Sequence, residues 1–413
     1  MSNQVTSLAS GHEGSFGDQV RAYFLRLRGG EMGSLPAIGA TLVLAGIFAA
    51  LSPYFLTDLN FTNLFVQAAE LTMLSAALVF VILLGEIDLA AGVTAGVAAA
   101  VFIVLIKSGS WPWFPALIAA FATGILVGWV IGMIVAKIGV PSFVVTLAFF
   151  LGFQGMQLVL LGEGGVYRVE TPEILAIMNS NIPDWGGWLM IVLAAAGTFL
   201  FGIWDRARRA GTGLVNRPIS ILFIKVAAIL VLGGGAVLVM NQNRSQGVIP
   251  ISGVPIVVPI SIIVLVIFTL LLDRTKFGRH LYAVGGNPEA ARRAGIKVAR
   301  VRIWAFIICS FLAVASGIFH ASRIQSVDGS AGHSIVLNGV AAAVVGGVSL
   351  FGGRGRLSHA AIGAIVITMI DNGLGLLQMP AGVNFLITGG VLLLAATLDA
   401  LARRRSGGSI ARS

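Results

Sequence analysis

WFPALIAAFATGILVGWVIGMIVA, residues 113–136, runs for 24 residues without a charged side chain. An α-helix rises about 1.5 Å per residue, so roughly 20 apolar residues cross the hydrocarbon core of a bilayer. This stretch is long enough to do so. Gly124, Gly128 and Gly132 recur at every fourth position, as do Gly92 and Gly96 elsewhere. Such spacing lines small groups along one helix face, where a neighbouring backbone can approach closely. Packing within one protomer is the first reading of that stripe; a part in dimerisation or gating is the second.

Eleven further apolar segments extend the pattern, near 35–55, 63–85, 89–106, 141–161, 186–204, 219–240, 253–272, 301–320, 333–352, 358–377 and 382–401. The third (89–106) and the fifth (141–161) are expected to be re-entrant or broken. The fold class is therefore an all-α polytopic membrane protein with about 12 hydrophobic segments, of which 10–12 are transmembrane helices. The composition agrees. Of 413 residues, 57% are hydrophobic and 11% charged, against roughly 25% charged in a soluble domain. A soluble enzyme, a disordered chain and a nucleic-acid binder are excluded. A transmembrane β-barrel would show alternation instead of long apolar runs.

The net charge of +10 is a topological signal. Threading the segments alternately from an inside N-terminus puts 22 of the 27 Lys and Arg residues on the inner side. Only Lys107, Arg168, Arg244 and Arg323 fall outside, with Lys225 inside a span. Cytoplasmic loops retain Lys and Arg, so both termini are expected in the cytoplasm. The organisation reads as a cytoplasmic tail over 1–34, a single membrane domain over 35–402 and a basic cytoplasmic tail over 403–413. The loop 162–185 lies outside and is acidic; the loop 273–300 lies inside and is basic. The single cysteine, Cys309, can form no intrachain disulfide.

The inner loop holds the most informative polar stretch, Gly285-Gly286-Asn287-Pro288-Glu289-Ala290-Ala291-Arg292-Arg293-Ala294-Gly295-Ile296. Asn287 suits an N-cap, Pro288 the first helical position and Glu289 the positive helix terminus. Ala290, Ala291, Arg292 and Arg293 continue the helix, and Gly295 suits a left-handed stop. The expectation is a helix of about two turns outside the bilayer, hinged by glycine on both sides. It would serve as a mechanical contact for another protein, or as a connector lying on lipid with Arg292 and Arg293 facing phosphates.

Polar groups inside apolar segments are costly and usually face a bundle interior or a wet cavity. Asn63, Gln67 and Glu70 share one face of the second segment. Gln154 and Gln157 share a face of the fifth, and Asp371 and Asn372 lie late in the eleventh. Each set would line a translocation path or make helix-to-helix hydrogen bonds. Glu86 and Asp88, after Gly85, are expected to cap the third helix. His280, His320, His333 and His359 are scattered near segment ends and read as satisfied or solvated. No metal-ligand spacing occurs. None of the five lysines follows a glycine, so no Walker A motif exists in the sequence.

The loop 285–296 resembles the Glu-Ala-Ala…Gly loop of ABC importer permeases. Gly85-Glu86-Ile87-Asp88-Leu89, Val140-Pro141-Ser142-Phe143-Val144-Val145-Thr146-Leu147, Val345-Gly346-Gly347-Val348-Ser349-Leu350-Phe351-Gly352-Gly353-Arg354-Gly355 and Asp371-Asn372-Gly373 are similar to stretches of its monosaccharide branch. The likeness covers roughly residues 60–402. The additional basic loop and span near 204–240 resemble the xylose type more than the shorter ribose type. Departures stand at Ala90-Ala91, at Val336 and Asn338, and at Val383-Asn384, positions that bear on the choice of sugar.

The resemblance implies a homodimeric permease in the bacterial plasma membrane, contacting membrane lipid and no nucleic acid. It implies a cytoplasmic ABC ATPase docked on Asn287–Gly295, with ATP and Mg on that partner and no cofactor in this chain. An external sugar-binding protein would deliver the sugar, a pentose such as xylose. Asn63, Gln67, Glu70, Thr146, Gln154, Asp371 and Asn372 are the candidate path residues, and no catalytic residue is expected. The other class kept open is an ion-coupled secondary transporter with Glu70 or Asp371 carrying the proton.

Overall fold

The computed structural model describes residues 35–211, 218–245, 247–329, 332 and 335–410. The expected tail 1–34, Arg217, His333 and the last three residues of the basic tail lie outside the described residues. Among the described residues, eight helices are long and apolar enough to cross a membrane and four further apolar helices are shorter, so the chain is a helical, polytopic membrane protein. Packing divides it into two units, one built on Asn181–Val254 and a larger one built on Met32–Ser180 and Pro255–Leu401.

The larger unit begins with α1 (Leu35–Leu51) and α2 (Asp58–Ile82). Helix α2 is buried along most of its length, which explains why it is apolar on all sides. It is followed by α3 (Ala91–Lys107), α4 (Trp113–Met133) and α5 (Ser142–Leu161). At 17 residues α3 falls short of a full span. Helix α5 is one unbroken 20-residue helix, contrary to the break expected there. Its uninterrupted apolar run carries no internal proline, and Pro141 stands just before its first residue, where its missing N–H costs nothing.

A short strand β1 (Val166–Arg168) and helix α6 (Pro172–Asn179) complete the first half of the unit. The smaller unit contributes α7 (Asp184–Gly211), α8 (Ile219–Ala228) and α9 (Gly234–Met240), with a π turn between the last two. Within it, Asn241 Nδ2 donates to the Asp184 carbonyl at 3.1 Å, and Ser252 Oγ to the Asp184 carboxylate at 2.9 Å. The larger unit resumes with α10 (Val257–Arg274), α11 (Lys276–Gly286), α12 (Pro288–Arg293) and α13 (Val298–Ile324). Strand β2 (Ser326–Asp328), α14 (Ile335–Val345), α15 (Leu357–Leu376) and α16 (Ala381–Ile410) end the chain. β1 and β2 pair antiparallel, Tyr167 opposite Val327.

The expected segment 333–352 is only half a helix. It stops at Val345, and Gly347, Gly352, Gly353 and Gly355 take positive φ in the turn that follows. Glycine reaches that region without the Cβ penalty, so the run of glycines makes a tight turn where continued apolarity suggested a span.

The glycine stripe of α4 lies against the backbone of α13. A Cβ on Gly128 would sit 2.8 Å from Ile307 Cα, and one on Gly132 2.8 Å from Ile303 Cα. The stripe therefore serves packing within the chain. Around it, Leu74, Phe80, Phe306 and Cys309 form the buried core between α2 and α13.

Candidate functional site

Along the face of α2 that carries Asn63, Gln67 and Glu70, burial deepens. Asn63 is exposed, Gln67 half-buried and Glu70 only 2% exposed. A lone carboxylate in such surroundings would be very costly. Two residues in the last turns of α13 answer it. Arg323 Nε donates to Oε2 at 2.9 Å, and His320 Nδ1 lies 2.8 Å from Oε1. One turn earlier, Ser316 Oγ donates to the Glu70 carbonyl at 3.0 Å.

Arg323 also acts electrostatically on Asp371 of α15, whose carboxylate is hydrogen-bonded by Asn384 of α16. Next to it, Asn372 Nδ2 donates to Asn60 Oδ1 at 2.9 Å, and Asn60 Nδ2 donates to the Phe55 carbonyl at 2.9 Å. Asn372 Oδ1 is buried without a partner. The N-terminal half of α2 and the C-terminal ends of α13 and α15 thus carry one polar belt. It offers carboxylate, guanidinium, imidazole and amide groups, the complement that a neutral hydroxyl-rich solute requires. No group of three His, Cys, Asp or Glu residues able to hold a metal occurs among the described residues.

Of the expected path residues, the structure brings Glu70, Asp371 and Asn372 to this belt. It adds His320, Arg323, Asn384 and Asn60, which sequence reasoning missed. His320 had read as an ordinary satisfied histidine and Arg323 as a loop residue. The signal available was the spacing of His320 and Arg323 by three residues, which puts both on one helix face.

Thr146 sits elsewhere. Its Oγ1 donates to the Ile87 carbonyl at 3.2 Å, while the Ile87 N–H donates to Ser142 Oγ at 3.2 Å. Together Ser142 and Thr146 clasp the loop between α2 and α3. Gln157 Nε2 donates to the Val93 carbonyl at 3.2 Å and so holds the start of α3, while Gln154 is half-buried.

In that loop the two carboxylates differ. Glu86 does not cap α3; its Oε1 lies 3.1 Å from Arg302 Nη2, tying the loop to the first turn of α13. Asp88 Oδ1 accepts the Ala90 N–H at 2.9 Å, in the neighbourhood of the buried Cys309 thiol. Burial pushes the Asp88 pKa up to about 6. The folded chain then holds this proton more tightly than the unfolded chain does. Asp88 contributes most to stability below the unfolded value near 3.8, and that contribution falls as pH rises to about 6. Asp88→Asn keeps the acceptor and drops the charge. It is expected to melt at or above wild type near neutral pH, with a flatter pH profile between about pH 4 and 6. Asp88→Ala, which loses the acceptor for the Ala90 N–H, is expected to fall about 1 kcal/mol below the Asn variant. Thermal melts at several pH values check the ranking, and an Asn variant less stable than the Ala variant would refute it.

Opposite in function to the belt is the basic loop. Asn287 Oδ1 accepts the Ala290 N–H at 3.0 Å, Pro288 occupies the first position of α12, and Glu289 pairs with Arg292 at 3.1 Å on the exposed side. Gly295 N–H donates to the Arg292 carbonyl and Ile296 N–H to the Ala291 carbonyl, both at 3.0 Å, with Gly295 at φ +82°. That is a Schellman stop. The helix has six residues, fewer than two turns, because this stop closes it at Arg293. Ala291 is buried and anchors it.

The glycines before α12 divide in role. Gly286 has open space around it, but Gly285 lies against the Leu83 carbonyl and the Gly353 nitrogen. Gly353 N–H donates to that same Leu83 carbonyl at 2.8 Å. Gly285 is thus a close-contact point, not a hinge. Three backbones meet there: the end of α2, the end of α11 and the glycine turn after α14. The sequence reading also missed α11, capped by Thr275 Oγ1 accepting the Gly278 N–H at 3.3 Å, with Gly278, Leu281 and Val284 turned inward. Tyr282 OH donates to the Gly355 carbonyl at 2.7 Å, and burial pushes its pKa up to about 12.

A family model described as branched-chain amino acid transport system / permease component matches residues 60–396. The xylose transport system permease protein of Haemophilus influenzae is 32% identical over 88% of this chain and 94% of its own length. The ribose import permease protein of Escherichia coli is 30% identical over 92% of this chain and 96% of its own. The D-allose transport system permease protein of Escherichia coli is 27% identical over 87% of this chain and 89% of its own. No solved structure matches the chain.

Proposed function

The chain belongs to the family of permease components matched over residues 60–396, and from this we propose that it imports a monosaccharide as the membrane-spanning subunit of an ABC transporter. It is a multi-pass protein of the inner membrane and a transport subunit, not an enzyme. The observation that carries the sugar reading is similarity along nearly the full length to xylose, ribose and allose permeases. The family description mentions amino acids, so the substrate class rests on these relatives, and xylose leads by identity.

In this reading both termini are cytoplasmic, the membrane domain covers 35–402, and the shorter helices α3 and α14 are half-spans that meet inside it. A second copy, an ABC ATPase that binds ATP and Mg, and an external sugar-binding protein complete the transporter. The ATPase grips α12, the capped and exposed helix of loop 273–300. Closure of the ATPase pair moves α11 and α12, and the glycine contact at Gly285 passes that movement to the end of α2. The polar belt around Glu70 and Arg323 forms part of the sugar path.

The test is reconstitution in proteoliposomes with the ATPase and the sugar-binding protein. ATP-dependent uptake of labelled xylose, ribose or allose is expected. The double variant Glu289→Lys with Arg292→Glu reverses two exposed charges, each more than half exposed. It is expected to fold normally and to reduce ATPase co-purification at least tenfold. Uptake driven by a proton gradient without any ATPase would favour a secondary transporter and end this reading.

A further inference from the structure

A second polar recess lies apart from the belt, between the C-terminal end of α3, the start of α4 and the start of α6. Ile106 lines it with Trp113 above the fully buried Ile103, and Lys107, Glu170 and Glu173 stand at its polar side. Its volume is about 340 Å³, at the small end of the range of small-molecule sites. The walls are tied down. Val169 N–H donates to the Gln325 carbonyl at 2.9 Å, beside the β1–β2 pairing. Ser322 Oγ donates to the Ile174 carbonyl at 2.7 Å and accepts the Met178 N–H at 3.2 Å. Lys107 and Glu170 form an ion pair across the recess, and the Lys107 ammonium holds the Glu170 carboxyl below its usual range.

We propose that this recess is a receiving site for a neutral monosaccharide on the outer face of the permease. A sugar ring has an apolar C–H face and a rim of hydroxyls. Ile106 and the aromatic surface of Trp113 suit the face. The carboxylates of Glu170 and Glu173 accept hydroxyl protons, and the Lys107 ammonium donates to hydroxyl oxygens. The lining leaves at most one unbalanced negative charge, which neither repels a neutral sugar nor captures an anion. The site is held to α13 through Ser322 and Gln325, close in sequence to His320 and Arg323 of the belt. The proposal rests on the sugar-permease reading and on its outward orientation of loop 162–185.

The test uses the full chain in lipid nanodiscs, with D-xylose, D-ribose and D-allose titrated separately and observed by saturation-transfer NMR. At least one sugar is expected to give a saturable signal. Glu173→Gln, a change at an exposed side chain, is expected to weaken it by about threefold to tenfold, because a charge-assisted hydrogen bond becomes a neutral one. Trp113→Ala is expected to abolish it. Trp113 also packs on the core, so Trp113→Phe, which keeps an aromatic ring, is expected to retain most of the signal and the wild-type melting curve. No saturable signal for any of the three sugars, or a signal indifferent to both Glu173→Gln and Trp113→Ala, overturns the proposal. ATP-driven uptake by the reconstituted transporter judges the permease reading separately, so the two can fail independently.

Discussion

Arg323→Met is expected to destabilise the chain by about 2 kcal/mol, more than Glu70→Gln does. Glu70 is 3% exposed in its side chain, and Arg323 supplies its guanidinium partner, with the His320 imidazole on the other carboxylate oxygen. Removing one partner of a fully buried ion pair costs roughly 3–5 kcal/mol, because the other charge stays buried without compensation. Here the cost is smaller. Arg323 is 37% exposed, so solvent already screens the pair, and His320 remains beside the carboxylate. Glu70→Gln removes the buried charge itself and keeps a group of the same shape, so it should be the milder change. The double variant should recover much of what Arg323→Met loses. Melting curves of the four proteins in one detergent form the double-mutant cycle. Equal stability of Arg323→Met and Glu70→Gln would show that the pair carries no more energy than a surface contact.

The second large effect is expected at Gly285. A methyl there would run into the Leu83 carbonyl and come within 2.8 Å of the Gly353 nitrogen. Both are backbone atoms, so no side chain can turn aside. Either α11 shifts away from the end of α2, or the Gly353 hydrogen bond to Leu83 breaks. Overpacking of this kind costs roughly 1–3 kcal/mol and sometimes more. Gly285→Ala is therefore expected to accumulate poorly in the membrane. The fraction that folds should lose the stimulation of ATP hydrolysis by sugar-loaded binding protein. Gly286→Ala is the matched control, since nothing lies within 4 Å of the added atom and alanine favours the helix. Membrane yield, melting temperature and ATPase stimulation distinguish the two. If both variants behave like wild type, the three-backbone contact does not transmit motion.

These two sites differ in how far the sequence disclosed them. Glu70 stands out in sequence as a carboxylate in an apolar run, but its partners lie 250 and 253 residues away. Arg323 was assigned to an outer loop because charge counting asks only on which side a residue falls. Thr146 was grouped with the path residues, whereas its hydroxyl holds the Ile87 carbonyl at the other end of α2. The stretch from Asn287 to Ile296 was far more legible. An N-cap bonds three residues ahead and a Schellman stop closes within six, so neighbours in sequence are neighbours in space. The glycines show both cases. The stripe on α4 was visible, but that α13 lies against it was not. Gly285 and Gly286 are adjacent and identical in sequence, yet only at Gly285 would a side chain collide with a neighbouring backbone.

The sequence by itself determined that the chain is helical and lies in the membrane, which kind of permease it resembles, and which residues cap the helix at Pro288–Arg293. Apolar length, motif and capping are sums over neighbouring residues, and no partner is needed to read them. Only the tertiary structure decided which polar groups meet. A helix turns about 100° per residue, so a small difference in its rotation sends a side chain to another neighbour. That rotation is set by packing against helices hundreds of residues away. The belt of Glu70, His320, Arg323 and Asp371, and the contact at Gly285, exist because those helices are already in place.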